Sequence, residues 1–273
     1  MRNFGSTKLW CHLSLDTGDR FTNKDIRESD PILISTFREL VQSTAKIANH
    51  NPDYSLFYRG QIKDYKLSSG ASSFYPTIFR SPGKALSIKE LAERYELLKE
   101  CSNKLISRLN GLEIDNISKL KKFQELPWSI LQHYEVCATP LIDLTHSLRV
   151  AASFALNEAK EKAYIFIFAF PYPNGTISYS TEEELLNVRL LSACPSEALR
   201  PHFQEGYLIG SFPSIVNKKQ PSFDFGRRLM AKIEIPKKGF WGQDFHAIPK
   251  NALYPPDDEV ESICSEIKTK YGT

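Results

Sequence analysis

The chain has 273 residues, of which 41% are hydrophobic and 25% charged, and its formal net charge is +3. This composition is typical of a folded globular protein and excludes a mainly disordered chain. A basic balance this weak does not by itself indicate a nucleic-acid partner. No apolar run is long enough to span a membrane, the first residues lack the apolar core of a secretory signal, and the five cysteines form no C-x-x-C pair. We therefore expect a reduced, cytoplasmic protein with no membrane partner and no structural metal site.

The N-terminal part of the chain predicts a helix, a strand and a long loop. Residues 1–29 show no period and are predicted to be an irregular lead-in, and residues 30–273 are predicted to form a single domain. A helix is expected from Asp30, with Pro31 in its first turn, to about residue 50. A strand is expected over residues 54–61, and the Ser, Gly and Pro content of residues 60–84 predicts a loop.

Helices dominate the middle of the chain, and strands are predicted in separated places. The helix over residues 87–110 opens with a capping box of Ser87 and Glu90. Thr181 and Glu184 have the spacing of a capping box and predict a helix over residues 181–194. Further helices are predicted over 115–126, 128–135, 147–163 and 255–272, and strands over 163–171, 206–212 and 227–236. Helices concentrated in the first half, with scattered strands, predict an α+β fold rather than regular βαβ winding.

Several common catalytic signatures do not occur in the sequence. It contains no Walker A loop, no G-x-G-x-x-G, no H-E-x-x-H and no G-x-S-x-G. This argues against the usual ATPase, Rossmann oxidoreductase, zincin and α/β-hydrolase classes.

Four segments together resemble the FRG domain family. They are "FYRGQ" at 57–61, "LQHYEVCATPLIDLTHSLRVAASFA" at 131–155, "LRPHFQEGYL" at 199–208 and "ALYPPDDEVESI" at 252–263. Their order and spacing are similar to those of the family over roughly residues 54–270. The chain departs from the family pattern at three places: Glu135 replaces a glycine, Ala138-Thr139-Pro140 replaces Pro-Thr-Arg, and Leu144 replaces a tryptophan. Arg149 is a candidate to replace the missing arginine.

A more distant resemblance to ADP-ribosyltransferases implies a mechanism. Those enzymes have a strand ending in Arg, then Ser-Thr-Ser, and then a helix carrying Ala and Phe-Ala; "DLTHSLRVAASFA" keeps that spacing. The resemblance implies an ADP-ribosyltransferase-like mixed β core and NAD as the substrate. Their late glutamate has two candidate counterparts here, Gln204 and Glu205, of which Glu205 is preferred.

The residues of these segments suit the cleavage of NAD. Arg59, beside Gly60, could bind phosphate through two hydrogen bonds. Further candidates to hold NAD are Gln132, Asp143 and Thr145. A carboxylate could stabilise the positive charge that develops on the ribose, and Glu205, Asp143 and Glu135 are available. His133 could be the general base for an acceptor.

Structural interpretations of the same residues remain open. Arg59 could be a strand-end arginine paired with a carboxylate, and His133 a buried hydrogen-bonding residue. Asp143 and Thr145 are predicted to cap the helix that begins near Ser147. Gly60 is expected to be required by the backbone geometry.

The resemblance implies NAD-dependent ADP-ribosyl transfer to a macromolecule, or NAD hydrolysis, by a bacterial or phage toxin or an anti-phage defence effector. A protein or nucleic-acid acceptor and an antitoxin or regulatory partner are expected. One alternative is a non-catalytic module that binds a nucleotide or nucleic acid. It is suggested by the basic pairs 218–219, 227–228 and 237–238 among aromatic residues. A second alternative is a nuclease-like effector that uses His133 and nearby acids.

Overall fold

The computed structural model describes residues 1–81, 86–112, 117–212 and 223–271, and it shows a mixed α+β fold around one large sheet. The α+β prediction is therefore confirmed. The strands are β1 Lys8–Leu9, β2 Phe21–Thr22, β3 Ile32–Leu33, β4 Ser55–Gln61, β5 Leu141–Thr145, β6 Lys162–Phe170, β7 Ile177–Ser180, β8 Leu185–Arg189, β9 Gly206–Ser211 and β10 Leu229–Pro236. The helices are α1 Ser14–Thr17, α2 Asn23–Glu28, α3 Phe37–Asn49, α4 Ile88–Asn110, α5 Ile117–Lys122, α6 Glu125–His133, α7 Leu148–Asn157, α8 Leu190–Ala193, α9 Leu199–Gln204, α10 Lys250–Leu253 and α11 Glu259–Tyr271.

The large sheet has the strand order β3-β10-β6-β4-β5-β9-β8-β7. Its neighbouring strands are antiparallel except for β3, which runs parallel to β10. The contact between β4 and β5 is narrow, because these strands share only the pair Tyr58 and Thr145. We call this junction the seam. It divides the sheet into a half with β3, β10, β6 and β4 and a half with β5, β9, β8 and β7.

Each half of the sheet packs against its own set of helices. The unbroken apolar run of β6 is buried from Ile165 to Phe170, as expected for a strand covered on both faces. Around it pack the first segment of the chain, α3 and α7. The second apolar cluster joins α4, α6 and α11 to β8 and β9.

Residues 1–29 carry regular structure that the sequence did not reveal. They form a two-stranded sheet of β1 and β2, and α2 opens with a capping box of Thr22 and Asp25. Ile26 is fully buried, and the Asn23 side chain donates to the main-chain oxygens of Gly226 and Leu229. The elements are too short to produce a visible period, so the expectation of an irregular lead-in was wrong in this respect.

The long helix with the capping box of Ser87 and Glu90 is confirmed as α4. The first helix begins later than expected, with its N-cap at Thr36 rather than at Asp30, because residues 32–33 pair with β10. The predicted helix over residues 181–194 is wrong. Its middle part is β8, which pairs with both β7 and β9, and a helical turn follows only at Leu190–Ala193.

No helix in the described part of the chain is long and apolar enough to cross a membrane.

Candidate active site

A cleft of about 480 Å³ opens beside the seam, between the end of β4, β5 and the helices α7 and α9. Residues predicted from the sequence line it together: Arg59, Gly60, His133, Asp143, Thr145 and Gln204. Two others do not: Gln132 lies just behind the wall, and Glu205 lies outside it. Residues from three distant segments of the chain therefore converge on one cleft.

Arg59 connects the two halves of the sheet. Beyond the pair of Tyr58 and Thr145 the strands separate, and Arg59 Nη1 donates to the main-chain oxygen of Asp143 at 2.6 Å. Burial lowers the pKa of the guanidinium, while the negative charges of Asp143 and Glu135 oppose this effect. Within the described residues the other N–H groups of Arg59 have no hydrogen-bond partner. Arg59 thus has a structural bond across the seam and keeps donors for a ligand.

Asp143 is held by neighbours on α6. Gln132 Nε2 donates to Asp143 Oδ2 at 2.9 Å, and His133 Nδ1 lies 3.0 Å from Asp143 Oδ1. Burial acts to raise the pKa of Asp143, but the hydrogen bond and charge of His133, with Arg59 and Gln132, outweigh it and lower the pKa. Thr139 Oγ1 in turn donates to the Gln132 amide oxygen, so Gln132 orients Asp143 rather than facing the cleft.

His133 is buried, with its side chain 4% exposed. Its Nδ1 is engaged by Asp143, and its Nε2 has no hydrogen-bond partner among the described residues. Gly206 packs closely against Leu190 and the His133 ring, because a Cβ on Gly206 would lie 2.7 Å from Leu190 Cδ1 and 3.3 Å from His133 Cε1. An unpartnered buried nitrogen is a candidate proton acceptor as well as a structural group.

Gly60 is explained by close packing. A Cβ at this position would lie 2.0 Å from the main-chain oxygen of Ala151 and 2.9 Å from Ala155 Cβ. The strand therefore meets α7 where both elements present their smallest side chains.

Thr145 and Gln204 stabilise the opposite wall. Thr145 Oγ1 donates to the main-chain oxygen of Gln204 at 3.0 Å and accepts from Ser147 N at 3.1 Å. Gln204 Nε2 donates to Leu253 O at 2.8 Å. The expected capping of α7 by Asp143 and Thr145 is wrong, because both residues lie in β5. Ser147 caps the helix instead: its Oγ accepts a hydrogen bond from Val150 N.

The carboxylates of the cleft differ from the preferred candidate. Glu205 is exposed and does not line the cleft. Glu135 and Glu158 do line it, and the Glu135 side chain is 71% exposed. Glu135 has a φ of 54°, a conformation that costs a non-glycine residue free energy. This explains why the FRG pattern has glycine at the position.

Sequence reasoning missed a cluster around Arg200, although its residues lie in segments that resemble the FRG family. The Arg200 guanidinium lies over the rings of Tyr254 and Tyr134, at 4.6 and 5.5 Å from their centroids. Asp258 accepts from Tyr134 Oη at 2.7 Å and from Arg200 N at 2.9 Å. The aromatic-Pro-acidic segment thus places Tyr254 at the cleft, and its Asp258 fixes Tyr134 and the backbone of Arg200 by hydrogen bonds. Aromatic residues that sequence reasoning did not assign to a site also line the cleft: Tyr58, Tyr65 and Phe154.

Arg149 does not replace the missing arginine at this cleft. It is exposed, donates to His246 O at 2.8 Å and does not line the cleft.

Among the described residues, the basic pairs do not form the stacking surface that the nucleic-acid-binding alternative requires. Arg228 is buried, bonded to Glu183 and packed over Phe4. Lys237 donates to Ala159 O, and the aromatic residues Phe223, Phe225 and Phe240 are buried. Lys218 and Lys219 lie outside the described residues.

In the ranges that the structure describes, no group of three or more His, Cys, Asp or Glu side chains could hold a metal ion.

The comparisons support the family assignment for part of the chain. Residues 54–163 match the family model of the FRG domain. The matched segment carries Arg59, His133 and Asp143, and the predicted resemblance to the FRG domain family is confirmed there. No curated protein and no solved structure matches the chain.

Proposed function

We propose that the cleft binds NAD and that the protein cleaves it, transferring ADP-ribose to a macromolecule or to water. The observation that carries this proposal is the convergence of Arg59, His133, Asp143 and Thr145 on one cleft. Each of these residues was chosen from sequence for such a site, and distant segments of the chain bring them there.

The cleft suits a dinucleotide in size and chemistry. Its volume of about 480 Å³ lies within the range of small-molecule sites, roughly 300–1,000 Å³. Arg59 retains N–H donors for a phosphate. The rings of Tyr58, Tyr65 and Phe154 offer flat surfaces against which a base could pack.

Glu135 is the carboxylate best placed to stabilise positive charge on a ribose. It lines the cleft and has only a distant ion pair with Arg200 at 4.0 Å, whereas both oxygens of Asp143 are engaged. We assign Glu135 this electrostatic role, in place of Glu205.

His133 and Asp143 would act on the acceptor. Asp143 fixes the orientation of the imidazole through Nδ1, which leaves Nε2 to take a proton from water or from a macromolecular nucleophile. In hydrolysis, water supplies the new bond to the ribose, nicotinamide leaves and one proton is released.

A second function is a nucleotide-binding module without turnover. It is favoured because neither counterpart of the late glutamate supplies a carboxylate to the cleft. Glu205 lies outside it, and Gln204 is an amide whose Nε2 donates to Leu253 O. This function needs Arg59 and the aromatic wall but not Glu135. A nuclease-like effector has no support from a metal-binding group among the described residues.

The test is incubation of the purified protein with NAD labelled in the adenylate, with cell lysate and nucleic acid as acceptors. We expect label transfer or nicotinamide release, and a loss of at least about tenfold in Arg59→Lys, which keeps the charge but not the two-point bond. Arg38→Lys, on an exposed ion pair far from the cleft, is the matched control.

Three results separate the alternatives. NAD binding without consumption would favour the binding module. Absence of both binding and consumption would refute the proposal. Sensitivity of the transferred label to protease or to nuclease would identify the acceptor as protein or nucleic acid. The toxin or phage-defence setting would then be tested by expression in cells.

A further inference from the structure

Arg200 is a buried cation that keeps an unpartnered donor within the described residues. The residue is 7% exposed, and its nearest carboxylates, Glu135 and Glu261, lie at 4.0 and 3.9 Å, beyond hydrogen-bonding distance. Its Nε has no hydrogen-bond partner in the described part of the chain. Burying a guanidinium without filling its donors is unfavourable, so such a group is a candidate to bind a ligand.

The fold holds this guanidinium in place. The rings of Tyr254 and Tyr134 pack on it, and its backbone N–H is fixed by Asp258. Asp258 also accepts from Glu261 N at 3.1 Å, near the start of α11. The side chain therefore has little freedom to turn out into solvent, and it is already oriented when a ligand arrives.

Arg200 and Arg59 line the same cleft from different elements. Arg59 lies on β4 and Arg200 on α9. Arg59 keeps N–H groups, and Arg200 keeps its Nε–H, that no described residue accepts. A ligand with a single anionic group would leave one of the two cations unused. Two adjacent phosphates would give each guanidinium an acceptor.

We infer that Arg200 is a second anion-binding residue and that the cleft selects ligands with a diphosphate, one phosphate on Arg59 and the other on Arg200. This inference rests on the proposed nucleotide site and specifies its ligand class as nucleoside diphosphates and their conjugates. Tyr254, packed against Arg200, is then positioned beside the second phosphate.

The test is calorimetric titration of the whole protein with ADP and with AMP. We expect ADP to bind at least about tenfold more tightly, since its second phosphate adds a hydrogen bond between two charged groups. Arg200→Met keeps an apolar stem against the tyrosines but removes the donors. This variant should lose the preference for ADP while its affinity for AMP stays within about twofold.

Three further variants complete the experiment. Arg59→Met should weaken both nucleotides, and Arg38→Met should weaken neither. Thermal unfolding of each variant without ligand shows whether it is folded. Arg200→Lys, which keeps the charge on a similar stem, serves as the second variant if Arg200→Met does not fold, and it should reduce the preference for ADP.

Equal binding of ADP and AMP by the wild type, binding of neither, or an unchanged preference in a folded Arg200 variant would overturn the inference. A protein that prefers ADP through Arg200 but never consumes NAD would overturn the proposed reaction instead. The two failures are therefore distinguishable.

Discussion

At the scale of single residues, Glu135 combines a strained backbone with a side chain on the cleft. Its φ of 54° is one that glycine adopts without cost, and its carboxylate is the one we assign to the reaction. Strain retained at a functional position is expected where the side chain contributes more to activity than glycine would to stability.

Replacing Glu135 in two ways separates these contributions. We expect Glu135→Gly to raise the free energy of unfolding by about 0.5–1 kcal/mol, because relief of strain outweighs the added freedom of the unfolded chain. Glu135→Gln keeps the strain and should leave stability nearly unchanged. Both should lower NAD turnover by about tenfold or more, because both remove the charge.

Urea unfolding and nicotinamide release measure the two effects. A Glu135→Gln variant with full turnover would exclude the carboxylate from the reaction.

At the scale of elements, α6 and β5 act as one unit through Asp143. Because its neighbours lower its pKa from an ordinary value of 3.8, the charged carboxylate stabilises the fold above that value. This stability is lost as the pH falls through the lower pKa of the folded state, where the carboxyl takes up a proton. The unit therefore loosens in acid.

We expect Asp143→Asn to be less stable than the wild type at pH 7 and to approach it as the pH falls below about 4. Urea unfolding of both proteins across pH 2–7 measures the difference. A difference that is constant over this range would show that the charge of Asp143 does not stabilise the fold.

Elements with strong local signals were the predictable ones. The capping box of α4 and the apolar run of β6 identified them from sequence. By contrast, β8 was mistaken for a helix, because Thr181 and Glu184 before it resemble a capping box and its leucines suit either period. The order of the motifs identified most residues of the cleft. Glu205 lies outside it, because the backbone takes a left-handed conformation one residue beyond Gln204.

At the scale of the whole molecule, a buried polar cluster joins the first segment of the chain to the sheet. Lys232 on β10 is fully buried and donates to the main-chain oxygens of Arg27 and Ser29 and to Ser72 Oγ. Its ammonium lies 3.7 Å from Asp64. His12 is buried nearby and bonded to Ser29 Oγ at 3.1 Å.

This cluster predicts a second loss of stability in acid. Burial, with the charge of Lys232, lowers the pKa of His12 from 6.5 to about 4, so the folded protein keeps this ring neutral. The unfolded chain takes up the proton below pH 6.5, and stability should fall between pH 6.5 and 4 by up to about 3 kcal/mol.

His12→Gln should flatten the stability profile in that window, whereas His202→Gln, at an exposed position, should not. Thermal unfolding at several pH values measures both. Parallel profiles for the wild type and His12→Gln would contradict the assignment.

The seam determines which fragments of this protein can be expressed with the cleft intact. The chain passes from one half-sheet to the other between β4 and β5, between β5 and β6, between β6 and β7 and again between β9 and β10. Neither half is a continuous piece of sequence. The matched segment 54–163 ends inside β6 and omits α9 and β9, which form a wall of the cleft. A fragment with those boundaries would expose severed strand edges, so the recognisable motif is shorter than the unit that builds the site.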